Sequence, residues 1–394
     1  YREKLGVSEL QLESLEALSQ LPLTTKQELV ASATSSANGI STHHTYSTEA
    51  YSRLHRTSGT TGHPLVILDT EQDWLHWSRT WQHVLEAAAI DASDRVFLAF
   101  SFGPFIGFWS AHQACVDRGA LVIPGGGLSS LGRLEFMHQC KANVVCCTPS
   151  YALHLAEVAQ REAVDLPALG VEKIIVAGEA GGSVPSVRQR IEQLWNAQIV
   201  DHSGATEVGP WGFGWPNQPG LHVIETSFVA ELLPLEEASP DESLRELVLT
   251  SLGRWGAPVI RYRTGDAVLA LRPESGPCRF LWLPHGVLGR ADNMVTIRGV
   301  NVFPSSIDAV VRDLPGITEY QVLVSSRGAL DQLELKVEAD ETTRMELEKR
   351  LNSRLGLRIP VEIAPVGSLP RSELKSKRWQ DLREPKDAPS PRLR

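Results

Sequence analysis

A two-part α/β fold is predicted by two regularities of this 394-residue chain. Between residues 95 and 201, short apolar runs alternate with stretches of helical periodicity. Between residues 294 and 365, a shorter series has the order strand, helix, strand, strand, helix, strand. Residues 222–290 lack helical periodicity and read as short strands joined by turns.

In the first series, Arg95-Val-Phe-Leu-Ala-Phe, Ala120-Leu-Val-Ile-Pro, Asn143-Val-Val-Cys-Cys, Lys173-Ile-Ile-Val-Ala and Gln198-Ile-Val-Asp have strand length. Helical spacing over Trp109–Gly119, Leu131–Ala142, Tyr151–Glu162 and Val184–Trp195 separates them. Strands alternating with 10–12-residue helices argue for parallel sheets with crossover helices. Helical spacing also covers residues 8–19 and 70–89. The middle region offers strands at His222–Glu225, Phe228–Leu233, Arg245–Ser251 and Val259–Tyr262, a more antiparallel pattern. The last series comprises helix Pro304–Asp313, strands Glu319–Val324 and Gln332–Glu338, helix Thr342–Leu355 and strand Val361–Ile363. With a strand before it, this βαββαβ order is ferredoxin-like. The expected domains are a large one over 1–291, β-rich over about 222–290, and a small one over 293–383. Residues 384–394 are rich in Pro and charge and are expected to be disordered.

Apolar content of 42% and charged content of 22% fit a globular protein. A net charge of −9 disfavours a broad nucleic-acid surface. No apolar run reaches the roughly 18 residues of a membrane span, so neither nucleic acid nor membrane is an expected partner. Tyr1-Arg-Glu-Lys lacks a signal-peptide apolar stretch. Cys115, Cys140, Cys146, Cys147 and Cys278 form no CxxC pattern, and Cys146 and Cys147 read as buried strand residues. A reducing cytoplasm is the expected compartment.

Residues 56–64, Arg-Thr-Ser-Gly-Thr-Thr-Gly-His-Pro, concentrate hydroxyls and glycines between the strand-like Tyr51–Leu54 and the apolar Leu65–Leu68. Backbone N–H groups and hydroxyls in such a loop make a donor surface for phosphate oxygens. A solvated hairpin turn fits the same residues, and the Walker pattern G-x-x-x-x-G-K-[ST] is absent. Ile175-Val-Ala-Gly-Glu-Ala-Gly-Gly places glycines directly after a strand, where open α/β sheets hold ligands. A helix-entry turn fits equally. Asp201-His-Ser-Gly-Ala-Thr-Glu also follows a strand, and Glu207 offers a carboxylate oxygen to a divalent cation. Its alternative is a capped helix start. Arg261-Tyr-Arg-Thr-Gly-Asp ends a strand with Asp266 at a turn, suited either to ribose hydroxyls or simply to turning. Gly289-Arg-Ala-Asp-Asn lies at the domain boundary, and Ser372-Glu-Leu-Lys-Ser-Lys follows the last strand.

In order and spacing, these segments resemble the adenylate-forming superfamily of acyl-CoA synthetases, peptide-synthetase adenylation domains and luciferases. Ile297-Arg-Gly-Val-Asn-Val-Phe-Pro-Ser, Leu369-Pro-Arg-Ser-Glu, Cys147-Thr-Pro-Ser-Tyr-Ala and Leu23-Thr-Thr-Lys are similar to its phenylacetate–CoA ligase branch. The resemblance spans essentially the whole chain. It implies an ATP-dependent acid–coenzyme A ligase for an aryl or arylacetic acid. The acid attacks the α-phosphate, pyrophosphate leaves, and a thiol then takes the acyl group from the acyl-adenylate.

By position, the resemblance assigns Ser58, Gly59, Thr60, Thr61 and Gly62 to the β- and γ-phosphates. Gly178, Glu179, Ala180 and Gly181 would line the adenine, with Asp201 also at the nucleotide. Thr206 would meet the α-phosphate and Glu207 the Mg²⁺. Asp266 and Arg290 would hold the ribose end, Asp292 would be a hinge, and Lys375 would be the adenylation lysine on a mobile lid. Phe102, Phe105 and Gly107 would line the acid pocket, with Trp211 as a second wall. The implied cofactors and substrates are ATP or AMP, Mg²⁺ and coenzyme A; a homodimer stays open. His63 stands where the family's loop has Lys, Ser203 where a Tyr commonly stacks on adenine, and Leu374 where a Gly precedes the catalytic Lys. Of a Cys/His zinc set found in some members of the branch, only His222 and Cys278 remain, so no zinc is expected. Two other functions fit the same residues: adenylation with a carrier-protein thiol, amine or hydroxyl as acceptor, and nucleotide binding with little catalysis.

Overall fold

The computed structural model describes residues 1–6, 11–36, 39–57, 64–235, 243–276, 278–290, 295–297, 300–327, 330–370 and 378–383. The chain forms two compact units, Tyr1–Ala291 and Asp292–Arg394.

The large unit begins with α1 (Arg2–Leu5), α2 (Lys26–Ser35), and the hairpin β1 (Arg53–Arg56) and β2 (Val66–Asp69). Then follow α3 (Glu71–Ala87), β3 (Arg95–Leu98), α4 (Ile106–Asp117), β4 (Leu121–Pro124), α5 (Ser130–Cys140), β5 (Val144–Cys147), α6 (Pro149–Arg161), β6 (Lys173–Val176), α7 (Pro185–Trp195) and β7 (Gln198–Ala205). Strands β8 (Gly209–Trp215), β9 (Gln218–Val223), β10 (Phe228–Pro234), β11 (Arg245–Ser251), β12 (Tyr262–Val268), β13 (Trp282–Leu283) and β14 (Gly289–Arg290) complete it.

The main sheet has the order β13-β9-β8-β7-β6-β5-β3-β4. Its strands from β4 to β7 are parallel, and those from β8 to β13 pair antiparallel. Every residue of β5 is buried, as helices on both faces require of a parallel strand. Trp81, Val84 and Leu85 of α3 close one face, while Leu134, Met137, Ile191 and Trp195 close the other. Helix α3 starts at a capping box formed by Thr70 and Asp73, and its buried Trp74, Trp77, Trp81, Val84 and Leu85 recur at helical spacing. A second, antiparallel sheet has the order β10-β11-β12-β14.

Residues 8–19 do not form the expected helix among the described residues: only a 3₁₀ turn at Glu16–Gln20 is present. The predicted strand Val259–Tyr262 also shifts. Residues 259–261 lie outside the ladder, with Arg261 at φ 48°, and β12 begins at Tyr262. The Tyr-Arg-Thr-Gly-Asp motif therefore lies within a strand rather than beyond its end.

The small unit contains β15 (Val295–Ile297), β16 (Val300–Val302), α8 (Pro304–Arg312), β17 (Tyr320–Arg327), β18 (Leu330–Val337), α9 (Glu341–Leu355), β19 (Val361–Ile363) and β20 (Trp379–Asp381). Its sheet order is β19-β18-β17-β20. The elements come in the expected order, but the first strand pairs with its own neighbour β16. The place beside β17 is taken by β20, running parallel. Among the described residues, no helix is long and apolar enough to cross a membrane.

Candidate active site

Strand β7 is the pivot of the main sheet, parallel to β6 and antiparallel to β8. The carboxyl ends of β3, β6 and β7 therefore share one edge, the place where α/β sheets receive ligands. Thr206 and Glu207 form the turn from β7 into β8. A hairpin turn thus replaces the capped helix start that fits the same residues.

Glu207 is buried at 6% exposure, and Lys26 Nζ lies 3.0 Å from its Oε1. Lys26 is the first residue of α2, which starts on a capping box of Thr25 and Glu28. Thr24 bridges Tyr262 of β12: its carbonyl accepts from Arg263 N at 2.9 Å and its N–H donates to the Arg261 carbonyl at 2.8 Å. One short segment thus brings Lys26 and Tyr262 to the same carboxylate. The Tyr262 hydroxyl lies within electrostatic reach of Glu207, Arg290 and Asp266. Burial, reinforced by Glu207, pushes this phenol well above its ordinary range.

Asp266 and Arg290 face each other across β12 and β14. Arg290 Nη1 donates to the Thr264 carbonyl at 2.7 Å. Gly265, at φ +72°, leaves the room: a Cβ there would lie 2.6 Å from Arg290 Nη2. The loop after β6 also depends on glycine. A Cβ on Gly181 would meet Pro149 at 2.5 Å, and one on Gly182 would meet Asp201 Oδ1 at 2.4 Å. Gly178, at φ +90°, and Ala180 are exposed at its surface.

From β3, the chain runs into a ladder of rings. Phe100 stacks on Phe108 at 4.1 Å, and Phe102 meets Trp109 edge-on at 4.8 Å. Phe105 contacts Phe108 edge-on at 6.5 Å. Trp109 is 43% exposed, and its indole donates to the Gly103 carbonyl at 2.8 Å. Arg56 N bonds the Pro104 carbonyl at 2.7 Å, which ties this segment to the β1–β2 hairpin.

Residues 10–227 match the family described as AMP-binding enzyme, and residues 299–383 match the AMP-binding enzyme C-terminal domain. The chain belongs to the AMP-binding enzyme family. The phenylacetate-coenzyme A ligase of Escherichia coli (strain K12) is 31% identical over 97% of this chain and 90% of its own length. A 2-hydroxyisobutyryl-CoA ligase, solved in the postadenylation state with R3-HIB-AMP, has a TM-score of 0.88 and 29% identity. That match covers 97% of this chain and 85% of that one. A structure of the 2-hydroxyisobutyryl-CoA ligase with 2-HIB-AMP and CoA in the thioesterification state has a TM-score of 0.68 and 29% identity, over 98% and 85% of the two chains. The protein is thus an AMP-forming ligase of the phenylacetate–CoA ligase-like branch.

Within this AMP-binding enzyme, β7 with its turn, the pair at β12–β14, the loop after β6 and the aromatic segment hold the described candidate residues, except Trp211 on β8. Ser58 to Gly62, Asp292 and Lys375 lie outside the described residues. Thr57, just before the first of these segments, has its N bonded to the Leu65 carbonyl at 3.0 Å, continuing the β1–β2 hairpin.

Four of the expected residues stand in a different setting. Trp211, proposed as a pocket wall, is 1% exposed and belongs to the core beneath β8. Asp201 lies under the glycine loop, where Ser183 donates to it, and burial raises its carboxyl to about 7. It supports the loop from below. Glu179 Oε1 accepts from Ser150 N at 2.7 Å and so holds the N-terminus of α6. Gly107 lies exposed in the first turn of α4, where a Cβ would meet nothing within 4 Å, so its lack of a side chain is not sterically required.

His222 and Cys278 line one cleft of about 300 Å³ with Trp215 and Trp282. Among the described residues, no group of three or more His, Cys, Asp or Glu is placed to hold a metal. Sequence reasoning missed Lys26, Tyr262 and Arg254, the last of which gives Nη1 to the carbonyls of Thr206 and Glu207. The available signal for Lys26 was its place directly after the Thr-Thr cap.

Proposed function

We propose that the protein is an ATP-dependent ligase joining an aryl or arylacetic acid to coenzyme A through an acyl-adenylate. The convergence of Glu207, Lys26, Asp266 and Arg290 around Tyr262 is the observation that carries this reading. It gathers acidic, basic and hydroxyl groups where the β7–β8 turn of the main sheet meets β12 of the second sheet.

The chemistry follows from charge. As the acid oxygen attacks the α-phosphate, negative charge grows on the phosphate and on the departing pyrophosphate. Fixed donors and cations lower that barrier because they need no reorganisation. Thr206 offers a hydroxyl beside the α-phosphate, and Lys26 and Arg290 supply positive charge at either side. Asp266 accepts from ribose hydroxyls. The exposed surface of the Gly178 loop receives the flat face of adenine. Glu207 suits a single-carboxylate Mg²⁺ site, since this ion commonly takes one or two carboxylates and completes its shell with phosphates and water. When bound, Mg²⁺ neutralises charge on the pyrophosphate.

Flat rings at Phe102 and Phe105 favour an aromatic acid by face and edge contact. The small unit acts as a lid carrying Lys375, with Asp292 as its hinge, so that lysine attends adenylation and withdraws for thioester formation.

Acid-dependent ATP–pyrophosphate exchange over a panel containing phenylacetate, benzoate and 2-hydroxyisobutyrate tests the proposal. Exchange with the aryl acids leading, and an acyl-CoA mass when coenzyme A is added, is the expected result. No exchange with any acid contradicts it. Lys375→Ala is expected to lose exchange by about 10²–10³-fold while still forming thioester from supplied acyl-adenylate.

A further inference from the structure

In the loop Leu252-Gly-Arg-Trp-Gly-Ala, Arg254 is 2% exposed and its neighbour Trp255 is 66% exposed. This inverts the usual preference of the two residue types. The backbone is shaped to produce the inversion. Gly253, at φ +88°, presses on α3, where a Cβ would meet the His76 ring at 2.8 Å. A Cβ on Gly256 would strike Asp73 Oδ2 at 2.2 Å, and Gly256 N bonds Asp73 Oδ1 at 3.0 Å.

The buried guanidinium is shared between two parts of the site. Its Nε donates to Asp69 Oδ1 at 2.8 Å, and Nη2 lies 2.7 Å from the same oxygen. Its Nη1 donates to the Thr206 carbonyl at 2.9 Å and to the Glu207 carbonyl at 3.0 Å. The plane lies 5.1 Å from the Trp77 ring centre. Asp69 ends β2, the second strand of the hairpin that carries residues 58–63. One ion pair thus spans from the phosphate-loop hairpin to the turn that aims Glu207.

We infer that Arg254 and Asp69 are a positioning pair, fixing the Thr206–Glu207 backbone so that the Glu207 carboxylate meets a divalent cation on the nucleotide. This rests on the reading of Thr206 and Glu207 as the nucleotide–metal end of the site. Neither residue touches substrate. A buried charge pair is a poor source of net stability, and removing one partner is costly. Its retention at this junction is explained by the two carbonyls it holds.

The test is ATP binding to the full chain by titration calorimetry, with and without Mg²⁺, for the wild type, Arg254→Met, Arg254→Lys and Asp69→Asn. Supporting residues behind a metal ligand are typically worth about 10–100-fold in metal affinity. Arg254→Met is expected to weaken MgATP binding by at least about tenfold and to leave Mg²⁺-free ATP within about twofold. Arg254→Lys, which keeps charge but loses the fork, restores part of the difference. Asp69→Asn falls between the two. Melting curves check folding, and the Lys and Asn variants carry the test if the Met variant does not fold. Equal loss with and without Mg²⁺, or no loss, overturns the positioning role. A wild type that binds no MgATP overturns the underlying nucleotide-site reading instead.

Discussion

The Thr206–Glu207 turn and the aromatic segment 100–109 leave carboxyl ends of strands in the same sheet, yet they are held by opposite means. The turn is fixed by directional polar contacts: Lys26 on the carboxylate and Arg254 on both carbonyls. The aromatic segment is held chiefly by ring contacts, and Phe102 and Phe105 are only half-buried. Charge-assisted hydrogen bonds fix a group tightly. Apolar packing tolerates exchange of shape at similar volume. On the proposed function, the difference makes the reacting end rigid and the acid-choosing end adaptable, so the two properties are separable by mutation.

Glu207→Gln breaks the rigid side and carries the largest expected effect. Exchange falls by about 10²–10³-fold for every acid, with little change in KM for the acid. A loss confined to some acids would blur the comparison. Phe102→Ala acts on the other side. It lowers kcat/KM for aryl acids by about tenfold and leaves KM for ATP alone. A rise in KM for ATP would place this ring at the nucleotide.

The smallest effect lies beneath the glycine loop. Burial raises the Asp201 carboxyl to about 7 and lowers the His202 imidazole to about 4. Their unfolded values are near 3.9 and 6.5. From about pH 4 to 6.5 the folded chain keeps a proton on Asp201 that the unfolded chain releases, so this carboxyl makes stability fall as pH rises. His202 stays neutral in the fold while the unfolded chain protonates it, so stability rises with pH. The two trends oppose each other. Asp201→Asn removes the first, and unfolding free energy then rises with pH more steeply than in the wild type, by up to about 1.4 kcal/mol per pH unit. Chemical denaturation across this range reads the slope. Equal slopes for the two proteins would contradict the buried carboxyl.

The sheet was legible because its strands are continuous apolar runs: β5 is buried on both faces and its sequence says so. Asp266 and Arg290 stood out in the sequence as motif residues, and the structure pairs them across two strands. Long-range pairings were not legible. Lys26 enters the sequence only as the end of the Leu23-Thr-Thr-Lys segment; its partner emerges once Thr24 pairs with Tyr262, more than 230 positions away, and carries it to Glu207. Arg254 reads as a loop cation until two glycines press its loop against α3. Trp211 misled because an aromatic residue near a glutamate fits a pocket wall and a core strand alike; its place on β8 decided for the core. β20 was hidden because three residues pair in parallel with β17 without an apolar run of their own.

The separation of chemistry from choice is tested most directly by exchange kinetics on one acid panel for the wild type, Glu207→Gln and Phe102→Ala. The account predicts that Glu207→Gln lowers the rate for all acids alike and preserves their ranking, whereas Phe102→Ala reorders the ranking toward aliphatic acids. A Glu207→Gln variant that reorders the acids, or a Phe102→Ala variant that slows all of them equally, would contradict it.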